Sequence, residues 1–367
     1  MNLSVRGGSI DLDVVDGLVA ASSTDGPTLD ASGLVVAPGL VDLQVNGAQG
    51  VDITAEPHRL WEVAAALPAY GVTAFLPTVI TSSPQARAAA LETLAAGRPS
   101  TVPAGAVPLG LHFEGPMIAE SHKGAHPSHW LAPASLDLVA GWSAEAGVAM
   151  VTLAPELRGA TEVITELASR GVVVSVGHTA ATSVEVLAAA EAGATAATHL
   201  FNAMPPLLSR APGPVGAVLD GSLVAGVLVD GHHLHASVVR LAWRVLGPAR
   251  FLSVSDTTAA LGLADGRQRL GDQEVVIAEG AVRLADGTLA GSTASLADCL
   301  RELVRVTGCS LDEAVATATS TPAKLLGDRS RGRLERGCRG DLVLLTPDLE
   351  VVATVVAGEV VHDARRG

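Results

Sequence analysis

Glu114, His178 and His199 each stand at the end of an apolar run that is typical of a buried β-strand. The carboxyl ends of parallel strands meet at one rim of an α/β barrel, so we expect these three side chains to lie close together. One carboxylate and two imidazoles, with a further position open to water, are typical ligands of a divalent metal ion. The sequence therefore predicts a metal site at this rim.

Further polar residues follow other apolar runs at equivalent points, namely Gln44, Asn46, the His-rich segment 230–235 and Asp256. A hydrolase built around one metal needs ligands, an acid or base beside the attacking water, and a donor for the developing oxyanion. Asp256 is the candidate base, and a histidine of segment 230–235 is the candidate donor. We therefore predict a metal-dependent hydrolase.

These residues require strands that bring them together, and eight apolar runs are present in the middle of the chain. We predict strands at 35–45, 72–78, 107–113, 148–153, 172–176, 195–199, 223–229 and 251–255. Helices are predicted at 56–67, 85–96, 161–170, 182–192 and 236–246. Continuous apolar runs are typical of parallel strands covered on both faces, which favours a (β/α)₈ TIM-like barrel. An open doubly wound sheet is the alternative, but no Gly-rich phosphate motif follows the first strand.

Both ends of the chain contain short β-like runs separated by Gly, Asp and Pro turns. We expect residues 1–37 and 335–367 to pair into one small β-sandwich domain, with the barrel at 38–334; two unrelated tails are the alternative. Residues 261–289 interrupt the strand and helix alternation and predict an inserted β-hairpin.

The composition limits the kinds of partner. A formal net charge of −14 argues against nucleic acid and anionic membrane surfaces, so an anionic substrate would need a local cluster of positive charge. No apolar run approaches the roughly 20 residues that span a bilayer. The 3 cysteines include no CxxC pair, which favours a reducing cytoplasm over a disulfide framework.

Several motifs resemble, in order, those of the amidohydrolase superfamily and, within it, the N-acetylglucosamine-6-phosphate deacetylase family. They are Ala37-Pro-Gly-Leu-Val-Asp42, His112-Phe-Glu-Gly-Pro116, Lys123-Gly-Ala-His126, Gly177-His-Thr179, Thr198-His-Leu-Phe-Asn-Ala-Met204, Asp230-Gly-His-His233, Ser255-Asp-Thr257 and Leu289-Ala-Gly-Ser292. The block 198–204 is the most specific, whereas block 37–42 marks only the superfamily. The resemblance covers essentially the whole chain.

The resemblance implies that Glu114, His178 and His199 bind the metal, and that Asp256 takes a proton from water and returns it to the leaving amine. The residues that it places at the substrate are His126, Asn202, Ala203, Arg210 and His233, with Asn202 and Ala203 offering backbone contacts. Gln44 is a further candidate for substrate binding, with a hydrogen-bonding role in the core as the alternative. His233 is also a catalytic candidate, and Arg210 would meet the phosphate across a homodimer interface.

A departure from the superfamily pattern concerns the number of metal ions. Many amidohydrolases carry His-x-His on the first strand, where this chain has Gln44 and Asn46. Amides are poor metal ligands beside imidazoles, so we expect one divalent ion per chain, Zn²⁺ or Fe²⁺.

The implied activity is removal of acetate from the 2-acetamido group of N-acetyl-D-glucosamine 6-phosphate. The alternatives are the galactosamine epimer of this substrate, another N-acyl or cyclic amide, and a non-catalytic scaffold homologue. The retained ligands and Asp256 weigh against the scaffold.

Overall fold

A computed structural model describes residues 1–21, 26–270 and 273–366 of the chain. Residues 22–25 of the predicted N-terminal β segment and residues 271–272 of the predicted hairpin lie outside the described residues.

The chain begins with a four-stranded sheet and then crosses to a second one. The first sheet has the order β3-β2-β1-β4 and consists of β1 (Leu3–Arg6), β2 (Leu12–Val15), β3 (Leu18–Ala20) and β4 (Thr28–Asp30). The next strand, β5 (Val35–Pro38), leaves this sheet. The predicted single strand 35–45 is therefore wrong: Pro38 lacks an N–H, and Gly39 presses so closely against Thr73 that any side chain would clash. The chain enters the barrel at this break.

The barrel predicted from the sequence is confirmed. Its eight parallel strands are β6 (Leu40–Val45), β9 (Val72–Ile80), β11 (Leu111–Glu114), β12 (Val148–Leu153), β13 (Val173–Val176), β14 (Ala194–Ala197), β15 (Val224–Leu228) and β16 (Phe251–Val254). Two short strands, β7 (Gly47–Ala48) and β8 (Val51–Asp52), follow β6, and β10 (Val107–Pro108) adds to β9. A parallel bridge between Val45 and Thr257 joins the first strand to the segment after the last.

Helices pack around the strands, and five of them lie at the predicted places. They are α1 (Leu60–Ala66), α2 (Pro84–Ala96), α3 (Ala160–Ser169), α4 (Ser183–Ala192), α5 (Gly213–Asp220), α6 (Ala236–Arg250), α7 (Leu296–Thr307), α8 (Leu311–Thr317) and α9 (Ser320–Leu325). The sequence did not predict α5, because its Pro and Gly residues are typical of a loop. Pro214 lies in its first turn, where the missing N–H costs no helical hydrogen bond.

The interior of the barrel changes from apolar to polar along its axis. Val41, Leu76 and Val254 belong to the apolar cluster within the barrel. Above them lies a hydroxyl network in which Thr198 Oγ1 lies 2.7 Å from Thr152 Oγ1 and 2.6 Å from Ser175 Oγ. The network holds three neighbouring strands together through polar groups that satisfy one another. It forms the floor beneath the candidate site.

The inserted segment is a four-stranded antiparallel sheet rather than the single predicted hairpin. Its strands are β17 (Gly266–Leu270), β18 (Gln273–Ala278), β19 (Ala281–Leu284) and β20 (Leu289–Ser292). The hydroxyl of Ser292 donates to the carbonyl oxygen of Ser255 at 2.6 Å. This contact fixes the inserted sheet to the end of the last barrel strand.

The C-terminal strands complete the second terminal sheet, which confirms the predicted pairing of both ends. The strands β21 (Leu342–Leu345), β22 (Val351–Val356) and β23 (Glu359–Asp363) form the order β23-β22-β21-β5. Val5 and Val14 of the first sheet pack with Leu344 and Val355 of the second. No helix in the described part of the chain is long and apolar enough to cross a bilayer.

Candidate active site

The predicted metal ligands converge at the carboxyl ends of three strands. Oε1 of Glu114 lies 3.2 Å from Nε2 of His178 and 3.1 Å from Nε2 of His199. Each side chain is buried, and one ligand atom of each lies within 4.8 Å of the others. Burial alone would raise the pKa of Glu114, but the two imidazoles hold that pKa well below its ordinary value.

Backbone conformation aims these side chains into the barrel mouth. His178, His199 and Asp256 each follow their strand by two residues and adopt positive φ angles of 48°, 29° and 46°. Non-glycine residues occupy this region rarely because the Cβ atom crowds the backbone. Such conformations cluster at functional sites, and here they turn three polar side chains toward one point.

The donor set fits a divalent cation. Metal bonds of about 2.0–2.1 Å at tetrahedral angles would place ligand atoms about 3.3 Å apart, close to the observed separations. Nδ1 of His178 lies 2.9 Å from the carbonyl oxygen of His122, so it carries the proton and directs the Nε2 lone pair into the site. Gln44 donates to Oε1 of Glu114 at 3.1 Å. Nδ1 of His199 has no hydrogen-bond partner among the described residues.

Asp256 lines the same cavity as these ligands. Its Oδ1 accepts a hydrogen bond of 2.8 Å from Nδ2 of Asn46. Burial, with a further contribution from the charge of Glu114, raises the pKa of Asp256 to about 7. A carboxyl group that is oriented by an amide and buried beside a cation site can accept and return a proton.

His126 presents a hydrogen-bond donor to the same space. The backbone N–H of Thr81 donates to Nδ1 of His126 at 3.4 Å, and the Thr81 hydroxyl lies 2.8 Å from the same nitrogen. An N–H group can only donate, so the imidazole proton belongs on Nε2, which faces Oε2 of Glu114 at 3.8 Å. Burial, followed by the charge of His178, lowers the pKa of His126 to about 3. The ring is therefore a neutral donor.

His233 is held by a carboxylate of its own segment. Asp230 accepts hydrogen bonds from the backbone N–H groups of His232 and His233 at Oδ1, both at 2.9 Å. Its Oδ2 lies 2.7 Å from Nδ1 of His233. This pairing fixes the proton on Nδ1 and leaves Nε2 as the reactive nitrogen. His232 and His235 are exposed.

A cavity of about 370 Å³ connects these groups. Its lining includes most of the predicted site residues: Glu114, His126, His178, His199, Asn202, Ala203, His233 and Asp256. Asn202 offers a buried Nδ2 without a partner among the described residues, and Ala203 has a φ of 51°. Residues 288–291 of the inserted segment also line the cavity.

The structure places two predicted substrate contacts away from this lining. Gln44 is buried against Glu114, and the neighbouring Asn46 lines the cavity instead. Arg210 is exposed on the loop before α5. Contact of either residue with substrate stays a prediction.

Sequence reasoning did not assign roles to Asn46, Thr81 and Asp230, which orient Asp256, His126 and His233 respectively. Asp230 was recognisable from its fixed spacing to His233. Thr81 carried no signal, because β9 extends to Ile80 rather than ending at the predicted Thr78.

Comparison with known proteins gives consistent matches. The amidohydrolase family model matches residues 35–361. The human N-acetylglucosamine-6-phosphate deacetylase is 40% identical over 356 residues, which cover 91% of this chain and 85% of the human protein. The crystal structure of the enzyme of that name from Pasteurella multocida has a TM-score of 0.91 and 29% identity, covering 98% of this chain and 99% of that one. A mutant of the Mycobacterium smegmatis enzyme in complex with N-acetyl-D-glucosamine-6-phosphate has a TM-score of 0.86 and 33% identity, with coverage of 98% and 99%.

Proposed function

This chain belongs to the amidohydrolase family, and we propose that it hydrolyses N-acetyl-D-glucosamine 6-phosphate to acetate and D-glucosamine 6-phosphate. The observation that carries the proposal is the convergence of Glu114, His178, His199 and Asp256 in one cavity. Relatives that share this fold across nearly the whole chain are named for the same deacetylation. One of them is described with this sugar phosphate bound.

Glu114, His178 and His199 would hold one divalent cation, with Zn²⁺ and Fe²⁺ favoured by a carboxylate and two imidazoles. When bound, such a cation polarises the amide carbonyl and makes a water molecule more acidic. Gln44 and Asn46 occupy the first strand where a second site would need imidazoles, and each donates to a carboxylate instead. These contacts support a single ion.

Asp256 carries the proton in this proposal. The carboxylate accepts a proton from the attacking water and returns it to the nitrogen of the leaving amine, so that the C–N bond breaks to give a neutral amine. Asn46 holds Oδ1 of Asp256, which leaves Oδ2 for proton transfer. The oxygen of the water stays on the acyl carbon, and its second proton is released when the acetic acid ionises to acetate.

Two histidines position the amide. His126 donates from Nε2 to the carbonyl oxygen as negative charge develops there, because Thr81 keeps its proton on that nitrogen. Nε2 of His233 contacts the substrate from the other side of the cavity, with its ring fixed by Asp230. His233 is the alternative proton carrier.

Asn202 and Ala203 are assigned backbone contacts with the substrate, and Arg210 is assigned the phosphate. The first two line the cavity of their own chain, whereas the exposed Arg210 would reach the cavity of a second subunit. Large apolar side chains are exposed on the Arg210 loop, at Leu207 and Leu208, and on α4 and α6, at Val184, Leu187, Leu241 and Val245. These exposed apolar side chains support a homodimer, because large exposed apolar surfaces mark protein interfaces.

The alternatives are the galactosamine epimer, another N-acyl or cyclic amide, and a non-catalytic scaffold. An intact ligand set and an oriented Asp256 weigh against the scaffold. A cytoplasmic location belongs to the same proposal, since Cys299, Cys309 and Cys338 are all free thiols.

An assay of acetate release distinguishes between the candidate substrates. Purified protein of measured metal content is given N-acetylglucosamine and N-acetylgalactosamine, each with and without a 6-phosphate. We expect the highest kcat/KM for N-acetylglucosamine 6-phosphate. Preference for the galactosamine epimer, or no acetate from any of the four, would overturn the proposal.

A further inference from the structure

We propose that Ile80 limits the length of the acyl group that this site hydrolyses, and that a cavity behind Ile80 receives longer acyl chains once this side chain is shortened. The inference rests on the proposed deacetylase function and adds the residue that sets acyl specificity.

Ile80 separates two cavities. It lines the active-site cavity of about 370 Å³ and also a second cavity of about 260 Å³. Among the described lining residues, it is the one that the two cavities share. Ile80 is 7% exposed, so it is buried between them. Removing part of this side chain would join the cavities.

Ile80 also stands beside the reacting centre. It pairs with Glu114 on the neighbouring strand, so the two residues are about 4.8 Å apart in the hydrogen-bonding direction. Thr78, two residues earlier on the same strand, contacts His112 inside the barrel. Because side chains two apart on a strand share a face, Ile80 also points inward.

The active-site cavity offers few apolar surfaces for the acyl methyl group. Its large aliphatic side chains in the described part of the chain are Ile80 and Leu289. Leu289 belongs to the inserted sheet, whereas Ile80 adjoins the ligand Glu114. In this proposal the acyl carbonyl lies beside Glu114, the methyl group of the substrate contacts Ile80, and the sugar ring lies toward the inserted sheet.

The second cavity has a mixed lining that includes an apolar wall for a short alkyl chain. Ala55, Ala86, Pro127 and Trp130 give it apolar walls. Two of its hydroxyl groups already have partners: Thr54 accepts from the backbone N–H of Ile80 at 3.0 Å, and Ser83 accepts from Ala86 at 3.1 Å. The buried hydroxyl of Ser82, on the same lining, has no partner among the described residues. An alkyl chain placed along the apolar wall would leave Thr54 and Ser83 satisfied. The reaction itself is unchanged, since water adds to the acyl carbon, the C–N bond breaks, and a carboxylate and the amine leave.

The test compares acyl chain lengths. N-acetyl, N-propionyl and N-butyryl glucosamine 6-phosphate are given to the metal-loaded wild type, Ile80→Val and Ile80→Ala. The wild type should lose activity with each added methylene, because an extra methylene in an apolar pocket changes kcat/KM by about 10- to 200-fold. Ile80→Ala should raise the butyryl-to-acetyl ratio of kcat/KM by about tenfold or more. Ile80→Val removes one methyl group and should raise the propionyl-to-acetyl ratio.

Two control variants test whether the change in acyl preference depends on the second cavity. Ala86→Met in the Ile80→Ala background fills the second cavity and should reverse the gain for butyryl. Leu289→Ala removes a similar volume from the lining of the inserted segment and should change the acetyl and butyryl substrates by the same factor. Metal content and melting temperature confirm that each variant is folded.

The outcomes separate the two proposals. Unchanged acyl ratios in folded, metal-loaded Ile80→Ala and Ile80→Val would overturn the role of Ile80, as would an equal shift in Leu289→Ala. A wild type that releases no acetate from N-acetylglucosamine 6-phosphate contradicts the proposed function instead.

Discussion

The Nε2 atoms of His178 and His199 lie 3.0 Å apart, and both face the same oxygen of Glu114. Two imidazole nitrogens this close cannot both carry protons without repulsion, whereas two lone pairs at this distance can share a cation. This relationship leads directly to the first prediction.

Metal content should depend on both histidines. We expect elemental analysis to find about one divalent ion per wild-type chain and far less in His178→Gln and His199→Gln, because each variant removes a ligand. The exposed His58→Gln variant serves as the control and should retain the ion. Two tightly held ions per chain would contradict the single-metal proposal.

Asp256→Asn should separate catalysis from metal binding. The amide keeps the shape of the side chain but cannot accept the proton, so turnover should fall by at least about 10²- to 10⁴-fold while the ion stays bound. The exposed Asp137→Asn variant should retain normal turnover. Near-normal turnover in fully metal-loaded Asp256→Asn would indicate that His233, rather than Asp256, transfers the proton.

Arg210→Ala should lower kcat/KM for the phosphorylated substrate more than for its unphosphorylated analogue. Only the phosphorylated sugar loses a charge-assisted contact, which contributes roughly 1.5–3 kcal/mol. Comparing kcat/KM for both sugars measures this difference, with the exposed Arg336→Ala as the matched control. An equal loss for both sugars would exclude Arg210 as the phosphate ligand.

Mixed dimers test whether Arg210 acts across the subunit interface. Combining Arg210→Ala chains with Asp256→Asn chains would give some dimers one site with both residues intact. We expect partial recovery of activity after subunit exchange, which native mass spectrometry can verify. Exchange without recovery would place the whole site within one chain.

Asp42 should make the unfolding free energy depend on pH. Burial raises the pKa of this carboxyl from 3.8 to about 6, although Gln44 and Ser255 donate their backbone N–H groups to it. The unfolded state ionises first, so this residue costs stability as the pH rises from about 4 to about 6, by roughly 3 kcal/mol in total. Asp42→Asn should remove that loss.

Urea unfolding of metal-depleted wild type and Asp42→Asn at about pH 4 and about pH 7 measures the effect. The change in unfolding free energy between the two pH values should be more favourable in the variant by about 3 kcal/mol. Asp348→Asn, on the surface, should follow the wild type. Parallel pH profiles for wild type and Asp42→Asn would show that Asp42 does not titrate as expected.

The sequence by itself determined the barrel and the candidate metal ligands. Eight continuous apolar runs encode buried parallel strands, and a residue type at a strand end is visible without knowing any contact. Because parallel strands present their carboxyl ends at one rim, Glu114, His178 and His199 had to converge wherever the barrel closed. The local sequence pattern and the common rim of parallel strands were therefore sufficient to predict that these three residues converge.

Tertiary structure alone decided how these residues are oriented and what separates the cavities. The positive φ angles of His178, His199 and Asp256 have no sequence signal, because surrounding contacts impose them. Asn46 and Asp256 are 210 residues apart, and Thr81 and His126 are 45 apart. Such pairs form only when distant strand ends pack side by side, since their hydrogen bonds depend on distances that no local pattern encodes.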